Sequence, residues 1–560
     1  MITNPAKWLY NVIGRRKWLI VLLLLIQSLI GGSSVVYALL LKRIIDNAVS
    51  GNKNGFIAFF IGMILLILAQ ILLGLLSRGL TEYSKASIEN ALKKRLFENL
   101  LYRDYSQVSA VHSGEWMNRL TNDTVVCANA ATTILPGLAG MVVKIIGAVI
   151  MILIIEPRFA LILIPGAIAI FLLTYAFRKV LKKLHKRIQE SDGKLRIFLQ
   201  ERLESMPVVR SFTAEEQCLA EAEEKMLDHK KARMKRINFS NLCNLGFSGA
   251  MNGMYLIGIG YGGYGIINHT ITYGTMTAVL QLIAQIQAPL ANISGYLPTY
   301  FAMTASAERL IKAETFNKPD EMPMSSREMK SFYKNSFKGF GLKDAGFSYS
   351  SDDDSPIVLS HLDLEIRKGD YVAVTGHSGC GKSTILKLFM GLYSLDSGEK
   401  YMIAENTHKM TDKYRSLFAY VPQGNQLMSG TIRNIISLSD RERAHDDESI
   451  MNAMKIACAD DFYDTLRNGL DTELGEKGQG LSEGQMQRIA VARAIFSDYP
   501  IILLDEATSS LDEGTEKRLL ENLKTMTDKT VLIVTHRPSA LEICNKQIQM
   551  SEDGVKMINR

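Results

Sequence analysis

Apolar residues run in long blocks through the first 300 positions of this chain and in short, strand-length blocks through the last 220. A helix needs about 20 consecutive, mostly apolar residues to cross a bilayer. Six segments reach that length: Trp18–Leu41, Phe56–Ser77, Ala131–Ile155, Phe159–Phe177, Leu242–Ile267 and Met276–Phe301. The last two are punctuated by Gly and by Asn244, Asn252, Gln281, Gln285 and Asn292, residue types that face helix neighbours or a wet cavity rather than lipid. Residues 78–130 and 178–240 keep a helical period with few breakers, Pro207 excepted, and are expected to prolong the membrane helices into the cytoplasm. Thirty helical residues reach about 45 Å, far enough to touch another domain. The opening Trp8-Leu9-Tyr10, with Lys7 and Arg15 nearby, reads as a short amphipathic helix lying at the interface.

Charge orients these spans. Sixteen Lys and Arg fall between Arg178 and Arg236 and seven between Arg78 and Arg119, whereas Asn268–Thr275 carries none and spans three and four are joined only by Glu156-Pro157-Arg158. Positive segments stay inside, so six crossings with both termini in the cytoplasm are expected. Net charge is +7, and because the basic residues flank apolar runs the expected partner is a lipid bilayer, with no nucleic acid. Arg15, Arg16 and Lys17 resemble the charged start of a signal peptide, but the apolar run behind them is long enough to span. The six cysteines are scattered with no CxxC pair, so the pattern suggests neither a structural zinc site nor a disulfide framework. The polar stretch with Pro319, Pro323, Ser325 and Ser326 reads as a linker, giving a membrane domain over 1–317, a linker over 318–339 and a soluble domain over 340–560.

The soluble part carries the chemistry. Tyr371–Thr375 reads as a buried strand followed by Gly376-His377-Ser378-Gly379-Cys380-Gly381-Lys382-Ser383-Thr384 and then an apolar helix. A GxxxxGK[ST] loop between strand and helix is a phosphate cradle: glycines let backbone N–H groups converge on phosphate oxygens, and the helix start favours negative charge. Lys382 is expected to neutralise the β- and γ-phosphates and Ser383 to bind Mg²⁺. A second strand, Ile501–Leu504, runs into Asp505-Glu506; Asp505 suits Mg²⁺ and Glu506 suits polarising the attacking water. A third, Val531–Thr535, delivers His536, whose imidazole can donate to the γ-phosphate as charge develops.

With these motifs in order, the soluble part resembles the nucleotide-binding domain of the ABC transporter family. Leu481-Ser482-Glu483-Gly484-Gln485, ending 20 residues before Asp505, is similar to its signature; Gln423 resembles its Q-loop glutamine, Ser510-Leu511-Asp512 its D-loop, His536 its switch histidine and Tyr349 its adenine-stacking aromatic. Gly114-Glu115 with Arg119–Asp123, and Val209–Glu215, look like the two cytoplasmic loops of fused exporters; Thr472–Gly478 and Ser429–Arg433 also read like exporters. The resemblance covers essentially the whole chain. It implies an all-α six-helix transmembrane domain joined to an α/β P-loop NTPase (ABC) domain, using ATP and Mg²⁺. It implies ATP-driven export of a lipid, peptide or amphiphilic small molecule across the plasma membrane by alternating access, with the ATPase domain cytoplasmic. Catalysis falls to Glu506, His536, Lys382 and Gln423, metal binding to Ser383, Gln423 and Asp505. Nucleotide contact falls to Tyr349, the loop from Gly376 to Thr384, and Ser482, Gly484 and Gln485. Ser482 caps a helix beginning near Gly484, whose amides can hold phosphate. The family closes ATP between one chain's signature and the other's phosphate loop, so a second half-transporter, identical or homologous, is the expected partner. An ATP-gated channel or sensor without pumping is the alternative.

Two residues depart from pattern. Glu483 replaces the family's first signature glycine: it is either an acid favouring a helix start or a like charge that weakens one ATP site, and homodimer and heterodimer both stand. Lys144 interrupts the third span 12 residues before Glu156, about 18 Å in depth. No Asp or Glu lies inside the six spans. An intramembrane charge is a functional candidate: Lys144 either contacts an anionic group on the exported substrate or meets water and backbone carbonyls. The substrate itself is not legible.

Overall fold

The computed structural model describes residues 4–292, 295–318, 321–349, 356–424, 426–551 and 554–560, with the side chains of 160, 162–176, 178, 179, 182, 288, 290–292, 477 and 554 left undescribed. The chain divides into two compact units, one of residues 1–97 with 116–314, the other of 98–115 with 315–560.

The first unit is helical. The amphipathic expectation at the start holds as α1 (Pro5–Ile13), which buries Trp8, Leu9 and Ile13. Then come α2 (Lys17–Val49) and α3 (Lys53–Tyr102), whose last residues pass into the second unit. There the chain forms α4 (Tyr105–Ser109) and α5 (Ser113–Asn118), the latter leading back into the first unit. The first unit continues with α6 (Thr124–Ile155), α7 (Pro157–Glu204), α8 (Met206–Ser211), α9 (Glu215–Ile267), α10 (Tyr273–Asn292) and α11 (Tyr296–Glu314). Residues 78–130 and 178–240 do prolong the apolar helices, as the ends of α3 and α7 and the starts of α6 and α9, and each also contains a turn-round with a short helix, set at the first by Asp104, whose side chain accepts from Ser106 N. Between α5 and α6, Arg119–Asp123 forms a π-helical turn. It presents the fully buried Asp123 carboxylate to Arg309, which donates from Nε at 2.8 Å and from Nη2 at 2.6 Å.

Among the described residues three helical stretches, Pro5–Val49, Lys53–Tyr102 and Ser113–Ile155, are long and apolar enough to cross a membrane, with mean hydropathies of 2.3, 2.9 and 2.8 in their best windows. Much of the fourth expected span lies outside the described side chains, and the sixth is divided between α10 and α11 around residues 293 and 294, which are also outside. Where α2 crosses α6 the backbones nearly touch: a Cβ on Gly31 would fall 2.5 Å from Gly140 O, and one on Gly140 2.9 Å from Gln27 O. Small residues permit such approach when lipid supplies no hydrophobic drive between helices.

The second unit is α/β. After residue 314 its first described helix is α12 (Ser326–Asn335), which lies within the expected linker 318–339 and corrects that reading. Ser325 and Glu328 close a capping box, Met329 is fully buried, and the Tyr333 hydroxyl meets Thr530 Oγ1 at 2.9 Å. A spacer would bury none of these.

The strands are β1 (Gly339–Phe347), β2 (Leu359–Arg367), β3 (Tyr371–Gly376), β4 (Ser397–Ile403), β5 (Thr407–Lys409) and β6 (Phe418–Val421). They continue with β7 (Gly430–Thr431), β8 (Glu473–Leu474), β9 (Ile501–Asp505), β10 (Thr530–Val534), β11 (Lys546–Ser551) and β12 (Gly554–Asn559). Between them lie α13 (Lys382–Phe389), α14 (Ile432–Ile436), α15 (Asp447–Ile456), α16 (Glu483–Phe496), α17 (Glu513–Lys524) and α18 (Pro538–Ile543). Among the described residues the larger sheet runs β12-β11-β3-β10-β9-β6, with β11, β3, β10, β9 and β6 parallel. Its alternating side chains feed two cores. Ala373, Val421, Ile502, Leu504, Val531 and Ile533 face one; Val372, Val374, Leu503, Leu532 and Val534 face the other. Burial on both faces is why these strands read as unbroken apolar runs.

Candidate active site

Parallel strands deliver their carboxyl ends to one edge, where open α/β sheets bind ligands. Here β3, β10, β9 and β6 are consecutive neighbours. The phosphate loop follows β3, His536 follows β10, Asp505 ends β9 with Glu506 next, and Gln423 follows β6. Pairing of Val534 with Asp505 and with Val374 sets these ends level. Residues more than a hundred positions apart thus arrive together.

The loop is shaped by backbone conformations that glycine alone adopts easily. Gly379 and Gly381 have φ of +85° and +95°, and a Cβ on Gly376 would meet Met550 O at 2.6 Å. Lys382, 6% exposed, donates to Gly376 O at 3.0 Å and His377 O at 2.8 Å, curling over the loop it belongs to. Ser383 Oγ donates to Asp505 Oδ1 at 2.8 Å, and the Tyr420 hydroxyl donates to Oδ2 at 3.0 Å. Burial holds the Asp505 carboxyl above the usual carboxylate range, with Glu506 adding to that and the two hydrogen bonds opposing it. Thr384 Oγ1 meets the Tyr349 hydroxyl at 2.9 Å; the half-exposed Tyr349 ring stands edge-on to Phe347 and Tyr393.

Glu506 also stands out by its backbone. Its φ is +52°, a left-handed conformation disfavoured for a side chain with a Cβ. Gln423 Nε2 donates to Glu506 Oε2 at 2.7 Å, and His536 Nε2 lies 3.5 Å from Oε1. Glu506, Gln423 and His536, expected from sequence as separate parts, form one cluster.

The signature residues stand apart from it. Ser482 is the N-cap of α16: its Oγ accepts from Gln485 N at 3.3 Å while its own N–H donates to Gln485 Oε1 at 2.8 Å. Among the described residues Ser482, Gly484 and Gln485 share no hydrogen bond with the phosphate loop. Glu483 is the exposed first residue of α16, where an acid favours the helix. Lys144 lies in the other unit, on α6.

Two residues escaped the motif reading. Gln487, 3% exposed, donates to Ser509 Oγ at 3.0 Å and accepts from Ser510 N at 3.1 Å. Arg537, directly after His536, donates to Ser509 O at 2.7 Å, Leu511 O at 2.8 Å and the buried carboxylate of Glu516 at 2.9 Å. Tying the Ser509–Asp512 turn to α16 and to the residue after His536 mechanically joins signature, D-loop and switch. The sequence signal for Gln487 is its place one residue short of Arg488 and the largely apolar run Ile489–Phe496 of the same helix.

Family models agree with both units: an ABC transporter transmembrane region matches residues 18–290 and an ABC transporter ATPase model matches 359–509. The chain belongs to the ABC transporter family. It is an ATP-driven exporter with ATPase activity, a helical membrane region and an ATP-binding domain. It is 27% identical over 534 residues to an ATP-dependent lipid A-core flippase of Mannheimia succiniciproducens, covering 92% of this chain and 87% of the relative. It is 25% identical to a multidrug resistance ABC transporter ATP-binding and permease protein of Lactococcus lactis, covering 89% and 82%. A solved bacterial Atm1-family ABC exporter with ATP bound superposes with a TM-score of 0.77 over 97% of this chain and 94% of its own, at 21% identity, a likeness of fold.

Proposed function

We propose that two such chains, identical or homologous, form the working exporter in the plasma membrane, each contributing six crossings, with the ATPase domains in the cytoplasm. The supporting observation is the split of the ATP machinery: Lys382, Asp505, Glu506, Gln423 and His536 gather at one sheet edge, while Ser482, Gly484 and Gln485 head a helix that shares no hydrogen bond with the phosphate loop among the described residues. A signature placed there completes an ATP site only on a partner chain. The Ser383 and Asp505 oxygens converge as hard donors of the kind Mg²⁺ takes; with Gln423 they would hold the metal, which would supply positive charge against the β- and γ-phosphates.

In this reading the adenine stacks on Tyr349 and the loop amides from Gly376 to Thr384 grip the phosphates. Lys382 leaves its backbone carbonyls for the γ-phosphate, stabilising charge there. Glu506, aligned by Gln423 and His536, accepts a proton from water as its oxygen bonds to the γ-phosphorus and the bridging bond to ADP breaks. Closure drives the membrane helices from inward- to outward-facing, and product release resets them. The cargo is a lipid, peptide or amphiphilic small molecule, and Lys144 contacts it.

Glu506→Gln should bind ATP and retain it while steady turnover stops; steady hydrolysis in that variant contradicts the assignment. Uptake of cargo into inside-out vesicles against its gradient separates a pump from an ATP-gated channel.

A further inference from the structure

The loop that presents Gln423 is pinned at both ends. Val421, the last residue of β6, pairs with Leu504, and Leu427 is 4% exposed in the core that also takes Ile489 and Val491 of α16. Between these anchors Gln423 is exposed and Gly424 turns the chain at a φ of +81°. Such anchors fix where the loop begins and ends but not the aim of Gln423 Nε2, which reaches Glu506 Oε2 at 2.7 Å.

Arg493 supplies a polar hold on the stretch between. It is the one ion in the run Ile489–Phe496 of α16, and its Nη1 donates to Gln426 O at 3.2 Å, three residues after Gln423. Burial pulls the guanidinium below its ordinary range, and among the described residues no carboxylate pairs with it. A desolvated cation without a counter-ion costs stability, and a well-packed apolar side chain would avoid that cost. Packing alone therefore gives no reason for an arginine here; aiming a carbonyl does.

The same helix is held on a second face. Gln487, six residues earlier and so about 120° round the helix, bonds Ser509 Oγ and Ser510 N. Ser482 caps the start of α16, and Arg493 lies ten residues, about 15 Å, beyond Glu483. One helix thus carries the signature at its start, the D-loop turn on one face and the Gln423 loop on another.

We infer that Arg493 is a positioning residue for ATP hydrolysis: through Gln426 O it sets Gln423 against Glu506 and passes movement of the signature helix to that pair. In the dimer reading, on which this rests, the partner's ATP seated against Ser482 moves α16, and Arg493 makes hydrolysis at this chain's own site answer to it.

The experiment is steady-state ATPase of the full chain in nanodiscs, with binding of a fluorescent ATP analogue measured on the same preparations. Arg493→Met, matched to wild type by melting temperature, should lose about tenfold in kcat while nucleotide affinity stays within about twofold. Arg493→Lys, which keeps the charge and a donor, should return to within about threefold of wild type. Arg493→Gln, a polar variant for a half-buried site, is made in parallel and carries the same comparison if the Met protein does not fold. Added to Gln423→Ala, either variant should cost less than about twofold more, because a residue acting only through Gln423 has nothing left to hold. Wild-type kcat in the folded variant overturns the assignment. So does a second full loss in the double variant, which would reduce Arg493 to packing. ATP-dependent cross-linking of two Glu506→Gln chains reads the dimer separately: chains that stay apart would defeat the pairing while the Arg493 comparison still decides what aligns Gln423.

Discussion

Tyr420 donates its phenolic hydrogen to Asp505 Oδ2 at 3.0 Å, on the side of the carboxylate opposite Ser383. Burial, then the charge of Asp505 and the hydrogen bond to it, push the Tyr420 hydroxyl well above its ordinary range, so it remains a donor at any working pH. A hydrogen bond to a charged group is worth about 1.5–3 kcal/mol. Tyr420→Phe should therefore leave ATP affinity without Mg²⁺ little changed while raising the Mg²⁺ concentration for half-maximal ATPase about tenfold. An unchanged Mg²⁺ titration would reduce Tyr420 to packing.

Arg537 holds the Ser509–Asp512 turn by two carbonyls and neutralises Glu516, which is 1% exposed and also accepts from Thr508 at 2.7 Å. Truncating it strands a buried carboxylate. Arg537→Ala should cost about 3 kcal/mol in unfolding of the nucleotide-binding domain. Arg537→Lys keeps the charge but loses the fork, so it should recover most of the stability yet hydrolyse ATP several-fold more slowly. Thermal unfolding and kcat measured on both variants decide this; equal kcat in Arg537→Lys and wild type removes the positioning role.

Gly484 is glycine because the D-loop passes over it. A Cβ there would meet Ser510 O at 2.9 Å, a backbone atom that cannot swing aside. Gly484→Ala should cost about 1–3 kcal/mol by overpacking and, by displacing Ser510, depress ATPase more than it depresses nucleotide binding. Full ATPase in a stable Gly484→Ala protein argues that the turn tolerates movement.

In the second unit α4 reaches the nucleotide site through rings. Tyr105 stands edge-on to Tyr393 at 5.9 Å between centroids, and Tyr393 edge-on to Tyr349 at 5.3 Å. Tyr393→Ala should retain ATP hydrolysis within about threefold and lower the cargo moved per ATP, since such ring pairs contribute about 0.5–1.5 kcal/mol each. A transport-to-hydrolysis ratio equal to wild type would show that α4 takes no part in coupling through this path.

The nucleotide motifs were legible because their chemistry demands local patterns: a glycine loop between strand and helix, acids at the end of an apolar run, a capped helix at Ser482. Periodicity likewise announced long apolar helices. Hydropathy could not settle how many cross, since α9 is interrupted by glycine and asparagine and the last expected span is shared by α10 and α11. Nor could composition tell a packed helix from a spacer: Ser326–Asn335 is polar on average, yet it buries Met329 and Tyr333 along one stripe.

What the sequence determined by itself was the inventory of reactive groups and the elements that carry them, because these depend on neighbours a few residues away. Tertiary structure alone decided which groups meet. Strand order β3-β10-β9-β6 brings Gln423 and His536 to Glu506, and helix crossings place Lys144 on one cavity wall with Gln27, Gln70 and Tyr296. Both depend on contacts between residues tens to hundreds of positions apart, which no local pattern encodes.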